Sequence, residues 1–415
     1  MRLVYKFNNY VNNKKIFELC RFSKDLYNQA LYFCIHNLQQ SEHKFIDYFV
    51  LNNTMKITPN LNGEINYKKL KAQVSQQILK CVSESVKSYF NSIVIWKKHK
   101  TKFKNIPRLP KYLPKNGYYQ LIYTNQACTI KDGTIHLSKH LTLPIPQWNK
   151  MKDKLSNFQQ IRILPKNGYT TIEIVYNDIT IKSNNLDYNR YASIDLGINN
   201  LVTLVTDFSN PLLYNGKQIK SKNQWYSKEI SKLKHEAIKC NNKHTTKKIN
   251  NLYVNRYNEI NDLLHKISRH IVNLLNNNGV GCLVCGRNKG WKDSINLGKA
   301  TNQNFIQIPY EVLINMLKYK CEMCGINFIE TEENYTSKCD ALSNEEICKH
   351  DIYKGKRIKR GLFQSESGKL INADVNGALN IMRKVVGDSE YITRIINSGW
   401  LFQPKKLNDL YCLVS

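Results

Sequence analysis

The fold is decided by residues 191–207, YASIDLGINNLVTLVTD. This run predicts a β-hairpin: an apolar strand, a turn that begins at Gly197, and a second strand rich in β-branched residues. One carboxylate, Asp195, interrupts the apolar first strand. A carboxylate on a buried strand is costly unless it is paired, hydrogen-bonded or bound to a metal. Asp195 therefore either accepts hydrogen bonds from the following turn or belongs to a functional site.

A second carboxylate lies far downstream, in residues 371–380, INADVNGALN. Asn372 is a suitable N-cap, so the pattern predicts a helix that begins just after it. Asp374 would then lie in the first turn, where the helix dipole favours a negative charge. Each acid alone is a weak signal, and the pair gains weight because carboxylates that converge in space can hold divalent cations.

The composition indicates a polyanionic partner. The 415 residues include 62 Lys and Arg against 32 Asp and Glu, which gives a net charge of +30. Such a surplus is typical of nucleic-acid binding. A membrane-surface protein is equally basic, but no run approaches the roughly 18–20 apolar residues that span a bilayer, and no signal peptide opens the chain. The 12 cysteines are scattered, which favours free thiols and a cytoplasmic location.

The first 180 residues combine helices with short strands. Apolar spacing predicts helices over about 14–39 and 67–98, and alternating segments over 118–176 predict a small β-barrel that includes the opening strand. Residues 97–115 are basic, broken by prolines and interleaved with aromatics, so they form either a solvated linker or a nucleic-acid contact. This segment and the polar face of the second helix supply the candidate contacts Gln73, Gln77, Lys80, Lys98, Lys102, Lys104, Lys111 and Lys115.

Further stretches accompany the two acids. They read NLG at 296–298, NQNF at 302–305, IP at 308–309, YTSKC at 335–339 and KRIKRGLF at 356–363. With Asp195 and Asp374, they resemble the TnpB family of transposon-encoded, RNA-guided DNA nucleases, which is related to type V CRISPR effectors and Fanzor proteins. The resemblance extends over most of residues 1–387 and is dense over 190–387.

The resemblance implies an α+β multidomain fold. A wedge β-barrel with a helical recognition insert is expected first, followed by a ribonuclease-H-like (RNase H-like) RuvC nuclease core in which a basic loop replaces a zinc ribbon. The implied segments are a wedge strand at 1–13, the helical insert at 14–110, the wedge barrel at 111–185, the RuvC-like core at 186–335, the basic loop at 336–365, the last core helix at 366–387 and a tail at 388–415.

One catalytic position departs from the family pattern. The family usually carries a glutamate at the end of the strand that here reads GCLVCG, residues 281–286, where this chain has Cys285 or Gly286. Fanzor proteins and some TnpB members look similar, with a glutamate just before the T-S-K segment. Glu333 best fits that E-x-Y-T-S-K pattern, and Glu332 is the second candidate. Strand alternation alone does not choose among these two and Glu330.

The resemblance also implies two Mg²⁺ ions. Asp195 would bridge them, Asp374 would hold one and Glu333 the other, because two hard cations activate water and stabilise the leaving oxygen of a phosphodiester. Zinc is not expected. Only Cys339, Cys348 and His350 remain where the family carries its zinc ribbon, and the pairs Cys282/Cys285 and Cys321/Cys324 fall on a buried strand and at the end of an amphipathic helix. The loop is instead expected to bind nucleic acid through Tyr335, Thr336, Ser337, Lys338, Lys356, Arg357, Lys359 and Arg360.

The function that the resemblance implies is RNA-guided cleavage of double-stranded DNA. The guide RNA would come from the transposon, and base pairing would read the target while the protein recognises a short flanking motif. Two alternatives stay open. One is an RNA-guided DNA-binding repressor without nuclease activity, which the missing strand glutamate favours. The other is a transposase that joins DNA ends on the same fold.

Overall fold

The computed structural model describes residues 2–10, 14–40, 45–103, 105–138, 141–166, 169–178, 185–242, 244–287, 308–410 and 412–413. The motifs at 296–298 and 302–305, Lys104 and the side chain of Lys102 lie outside the described residues. The chain divides into two compact units, residues 1–179 and 180–415.

The first unit is built from helices and two antiparallel sheets. One sheet has the strand order β1-β7-β6-β2 and the other β3-β4-β5, so the strands expected in a barrel form two separate sheets among the described residues. The elements are β1 (Arg2–Asn9), α1 (Lys14–Gln40), α2 (Tyr48–Met55), α3 (Ala72–Lys98), β2 (Leu121–Thr124), β3 (Thr129–Lys131), β4 (Thr134–Ser138), β5 (Leu141–Pro144), α4 (Trp148–Leu155), β6 (Phe158–Lys166) and β7 (Tyr169–Asn177).

The helical stripe predicted for residues 67–98 is confirmed over α3. Val74, Ile78, Val82 and Val86 are all buried, because positions three and four apart lie on one face of a helix. The predicted start is early, since residues Asn66–Lys69 form a 3-10 turn and α3 begins at Ala72. Periodicity did not reveal α4, a short helix between two sheets.

The second unit is a six-stranded mixed sheet covered by helices. Its strand order is β12-β11-β8-β9-β10-β16, and a three-stranded sheet β13-β14-β15 stands apart. The elements are β8 (Asp187–Leu196), β9 (Asn200–Val205), β10 (Leu212–Asn215), α5 (Lys217–Asn241), α6 (Lys247–Asn277), β11 (Val280–Gly286), α7 (Tyr310–Cys324), β12 (Asn327–Thr331), β13 (Lys356–Lys359), β14 (Leu362–Gln364), β15 (Leu370–Asn372), α8 (Ala373–Val386), α9 (Glu390–Asn397) and β16 (Lys405–Leu407).

The predicted hairpin of residues 191–207 is confirmed as β8 and β9. The two strands pair antiparallel, with Asp195 opposite Thr203, and β11 pairs parallel to β8 on its other side. Side chains alternate between the faces of a strand. Ala192 and Ile194 therefore join the core that includes α6 and α7, whereas the Ser193 hydroxyl donates 2.6 Å to the Ala378 carbonyl of α8. Asp195 consequently faces α8.

A lysine is buried where α6 and α7 pack together. Lys320 is 2% exposed, and its ammonium donates to the His265 carbonyl at 2.8 Å and to the Ser268 hydroxyl at 2.6 Å. Burial, with a smaller effect of the Arg269 charge, lowers the pKa of Lys320 to about 7. Two hydrogen bonds thus offset only part of the cost of removing a cation from water.

The helices that the structure describes include none with the length and apolar character needed to span a bilayer.

We expect Lys320→Met to stabilise the protein at pH 7 by about 1–4 kcal/mol, because an apolar side chain of similar size removes the desolvation cost. A lysine with a lowered folded pKa makes wild-type stability rise as pH rises from 7 towards the unfolded pKa of roughly 10.4. The advantage of the variant should therefore shrink between pH 7 and pH 9 in urea titrations. Lys318→Met, on the exposed side of the same helix, is the matched control. A variant less stable than wild type at pH 7 contradicts this account.

Candidate active site

Asp195 lies near the end of β8 and points at α8. A Cβ placed on Gly377 would lie 3.1 Å from the Asp195 Oδ2 atom, so the glycine allows the helix and the carboxylate to approach closely. Tyr310, at the start of α7, donates its hydroxyl 2.8 Å to the Gly197 carbonyl just past the strand. The end of β8 is thereby held from both sides of the sheet.

Asp374 lies in the first turn of α8, one turn before Gly377. The Asn372 side chain caps this helix, accepting from the backbone N–H groups of Asp374 at 2.9 Å and Val375 at 3.3 Å, as the sequence predicted. The Asp374 carboxylate accepts from Asn200 Nδ2 at 2.7 Å and lies 3.7 Å from the Arg357 guanidinium. The hairpin turn and the basic loop therefore both contact this acid.

The three candidate glutamates lie in different surroundings. Glu330 is on β12 and forms ion pairs with Arg287 and Lys318. Glu332 is exposed, and its carboxylate accepts from the Asn334 amide at 3.2 Å. Glu333 lies past the strand end, beside Gly286: a Cβ added to Gly286 would lie 2.7 Å from Glu333 Cγ and 2.8 Å from its Oε1. The Glu333 carboxyl thus fills the space that a side chain at the end of β11 would take.

A buried polar network holds the loop after Glu333 on α8. The Asn380 amide donates to the carbonyls of Thr336 at 2.9 Å and Cys339 at 2.7 Å, and the Asn376 amide donates to Cys339 at 2.9 Å. Both asparagines are fully buried, where an unsatisfied amide is costly. The spacing of Asp374, Asn376 and Asn380 thus ties the glutamate-bearing loop to the helix that carries Asp374.

Thr336 belongs to this network. It is 4% exposed, and its hydroxyl donates 2.9 Å to the Glu333 carbonyl. The expectation that the Thr336 side chain contacts nucleic acid is therefore not supported, because burial leaves its hydroxyl to hold the loop. Tyr335 beside it is partly exposed and has a positive φ of 66°; this left-handed backbone turns the chain immediately after Asn334.

Burial and neighbouring charges perturb two of the three acids. Burial raises the pKa of Asp195 well above its ordinary value, and the charges of Glu333 and Asp374 raise it further, while Arg357 acts in the opposite direction. Burial raises the pKa of Glu333 to about 7, against the charge of Lys384. Burial, and then the charges of Asp195 and Glu333, raise the pKa of Tyr310. A cation bound near Asp195 would offset the charges of Glu333 and Asp374 that act on it.

A basic cavity opens beside Asp374. Its volume is about 680 Å³, and it is lined by the hairpin turn, by Asp374 and by four cations: Lys217, Arg357, Arg360 and Lys406. A cavity that places cations around one acid can accept a phosphate whose scissile bond lies near that acid.

The other residues predicted to contact nucleic acid differ in their exposure and in the contacts they make. The Gln73 amide is already engaged, donating 2.9 Å to Gln126 Oε1 and accepting 3.1 Å from the Thr124 hydroxyl. Gln77 is half-buried. The Lys338 ammonium lies 5.7 Å from the centre of the Tyr353 ring. The remaining described candidates are exposed, namely Lys80, Lys98, Lys111, Lys115, Ser337, Lys356 and Lys359.

The cysteines are all free thiols. Cys282 and Cys285 are buried on β11, and Cys321 is buried on α7. Cys348 Sγ lies 3.3 Å from His350 Nε2, while Cys339 Sγ lies 3.7 Å from the Cys348 carbonyl. In the parts of the chain that the structure describes, no three or more His, Cys, Asp or Glu side chains are grouped closely enough to hold a metal ion.

Two family models match the chain. Residues 173–292 match the family described as probable transposase, and residues 310–381 match the Cas12f1-like TNB domain. The TnpB-like protein ORF457 of Acidianus two-tailed virus is 27% identical over 208 residues, which are 48% of this chain and 42% of that protein. This chain is thus similar to TnpB-like proteins over these segments, which supports a TnpB-family assignment. It covers less than half the length of this viral TnpB-like relative.

A solved structure is similar to this chain in its fold. It is described as the Cas12f1–sgRNA–target DNA complex, and its Cas12f1 chain matches with a TM-score of 0.51 and 15% identity. The match covers 89% of this chain and 83% of the other. At this identity the likeness shows a Cas12f-like fold of mixed α and β structure.

The raised pKa of Glu333 predicts a pH-dependent stability. Because the folded pKa of about 7 exceeds the unfolded value of roughly 4.3, the native state binds more protons between these values, and wild-type stability falls as pH rises through this window. Glu333→Gln should therefore match wild type near pH 5 and exceed it at pH 8 by on the order of 2 kcal/mol. Thermal unfolding at both pH values measures this. The exposed Glu332→Gln is the control, and an equal gain in both variants would refute the assignment.

Proposed function

We propose that this TnpB-family chain is an RNA-guided DNA endonuclease with a RuvC-like centre formed by Asp195, Glu333 and Asp374. The observation that supports it most is the place of Glu333. Its carboxyl fills the space beside Gly286 at the end of β11, next to the strand that carries Asp195. A chain that lacks a strand-end glutamate thus still brings a third acid to the same place.

The donor set fits two Mg²⁺ ions chemically, because Asp195, Glu333 and Asp374 offer hard carboxylate oxygens and their charges raise the pKa of Asp195. Within the described residues the three acids do not form a closed ligand cluster, and Asp374 is in contact with Asn200 and Arg357. These three acids would hold the ions. When bound, Mg²⁺ would activate water and stabilise the leaving oxygen.

The remaining residues of the centre would bind the phosphates and orient the acids. Lys217, Arg360 and Lys406 would hold the phosphates on either side of the scissile bond, because they line the cavity that contains Asp374. Asn200 fixes the orientation of the Asp374 carboxylate. Tyr310 anchors the hairpin turn through the Gly197 carbonyl, which keeps the end of β8 in place.

The partners follow from charge and from family membership. A net charge of +30 suits both a guide RNA and a target DNA, and the similar Cas12f1 structure is described as a complex with both kinds of nucleic acid. A guide RNA from the transposon would select the target by pairing, and a short flanking motif would be read by the protein. The segment boundaries given above and the basic loop at 336–365 remain part of this proposal.

Cleavage of a plasmid by guide-loaded protein with Mg²⁺ tests the proposal. Asp195→Asn, Asp374→Asn and Glu333→Gln should each reduce cutting by at least about 10³-fold, because each would remove a metal ligand, while guide-dependent DNA binding persists. Glu332→Gln, the neighbouring exposed acid, is the matched control and should cut normally. Binding without cutting in the wild type would instead support a repressor, and RNA-independent joining of DNA ends would support a transposase.

Gly286→Ala tests the place of Glu333 directly. The new Cβ would lie 2.5 Å from Ile381 Cδ1 and 2.7 Å from Glu333 Cγ, so the carboxyl must move. Since a displacement of about 1 Å can cost about 10²-fold in rate, we expect cutting to fall by that amount while the thermal midpoint shows a folded protein.

The swap Gly286→Glu with Glu333→Gly returns the carboxyl to the strand end and should recover part of the activity lost in Glu333→Gln. Wild-type cutting by Gly286→Ala would show that the contact between Glu333 and the end of β11 does not matter for the reaction.

A further inference from the structure

We infer that the outward face of α5 binds a single strand of nucleic acid and leads it into the cavity beside Asp374. This inference rests on the proposed function for the identity of the strand, which would be one strand of the DNA substrate. The face is defined by Lys217, Ser221, Gln224, Trp225, Lys228, Lys232, His235 and Lys239, and it is called the α5 track below.

The geometry of α5 aligns these residues. At about 100° per residue, Lys217, Lys228, Lys232, His235 and Lys239 lie within roughly 60° of one direction around the helix. All five are exposed. From Lys217 to Lys239 the helix rises about 33 Å at 1.5 Å per residue. The track is therefore a straight row of cations several nucleotides long.

The opposite side of α5 is used for packing. Tyr226 and Ile230 are buried, and the Tyr226 hydroxyl donates 2.9 Å to Glu259 of α6. Lys222 forms an ion pair with the same glutamate at 2.5 Å. In the described part of the chain, Lys228, Lys232 and Lys239 take part in none of the ion pairs, while Glu229 and Glu236 lie at one flank of the track rather than within it.

An aromatic residue lies on the track. Trp225 is 53% exposed, and its indole meets the buried Tyr226 ring edge-on with the ring centroids 4.7 Å apart. The ring is thus supported from within while much of its surface faces solvent. An exposed indole among lysines is the arrangement on which unpaired bases stack as phosphates meet the cations. Bases in a duplex are already stacked, so this feature favours a single strand.

The track ends at the candidate active site. Lys217, its first residue, also lines the cavity that contains Asp374, Arg357 and Arg360. A strand held along α5 would therefore enter the cavity with its phosphates already paired to cations. The row of lysines and the cavity form one continuous basic surface within residues 180–415.

Salt-dependent binding tests the inference without any cleavage. The full chain, in EDTA, is titrated with fluorescent (dT)20 at several salt concentrations. The double variant Lys228→Gln/Lys232→Gln should bind more weakly, and the slope of log K against log salt should fall in magnitude by about 1.4, since each phosphate contact on a single strand contributes about 0.7. Lys152→Gln/Lys154→Gln, which removes two exposed charges from α4, is the matched control and should leave the slope unchanged.

Trp225→Ala should weaken (dT)20 binding by about 5- to 100-fold, which is the range for loss of one stacked base, with the salt slope unchanged because no phosphate contact is lost. Trp225→Phe should restore most of the affinity. In wild type, a strand containing 5-iodouracil should photocrosslink to Trp225, as mapped by mass spectrometry.

Three outcomes would overturn the inference: an unchanged slope in the α5 double variant, normal binding by Trp225→Ala, or an equal loss of affinity for a 20-base-pair duplex. The same titration with (rU)20 shows whether the α5 track prefers DNA or RNA. If the α5 variants lost affinity for (rU)20 only, the assignment of the bound strand to the DNA substrate would also be rejected. Because binding is measured in EDTA, failure to cut DNA would reject the proposed nuclease without affecting this result.

Discussion

The close approach of α8 to β8 is the contact on which the candidate site depends. Gly377 leaves room for the Asp195 carboxylate, and Ser193 holds the helix through the Ala378 carbonyl. A Cβ at position 377 would lie 3.1 Å from Asp195 Oδ2, so the carboxylate or the helix would have to shift slightly. The helix and the hairpin are far apart in the sequence, and this small residue allows the helix that carries Asp374 to pack closely against the strand that carries Asp195.

The position of the third acid, Glu333, depends on a second small residue, Gly286, and on the loop that follows Glu333. Gly286 leaves the end of β11 empty, and Glu333 enters that space from the next strand connection. The loop is held by Asn376 and Asn380 of the same helix α8. One helix therefore supplies Asp374 directly and restrains Glu333 indirectly. The centre is assembled from buried amide hydrogen bonds, which are costly to leave unmade, rather than from contacts among the acids themselves, which repel.

Local sequence patterns predicted several of the secondary-structure elements but not the contacts between distant segments. The hairpin, the Asn372 cap and the helix after it were predictable, because turn residues, β-branched runs and caps act locally. The choice among Glu330, Glu332 and Glu333 was not predictable from alternation, since it depends on the ion pairs of Glu330 with Arg287 and on the space beside Gly286. The burial of Thr336 and Lys320 was missed for the same reason, as neither has a local signal.

The distribution of charge links the cluster of acids to the rest of the unit. Burial, and then the charges of Glu333 and Asp374, raise the pKa of Asp195, and such a perturbed acid is typical of a functional site. Cations surround the cluster: Arg357 lies beside Asp374, and Lys217 connects the cavity to the outer face of α5. Under the proposed function, this positive rim would attract a phosphate backbone towards Asp374, the one acidic residue among the described residues that line the cavity. Part of the excess of 30 positive charges in the sequence is thus placed around Asp374, where the proposed function would use it to hold phosphates.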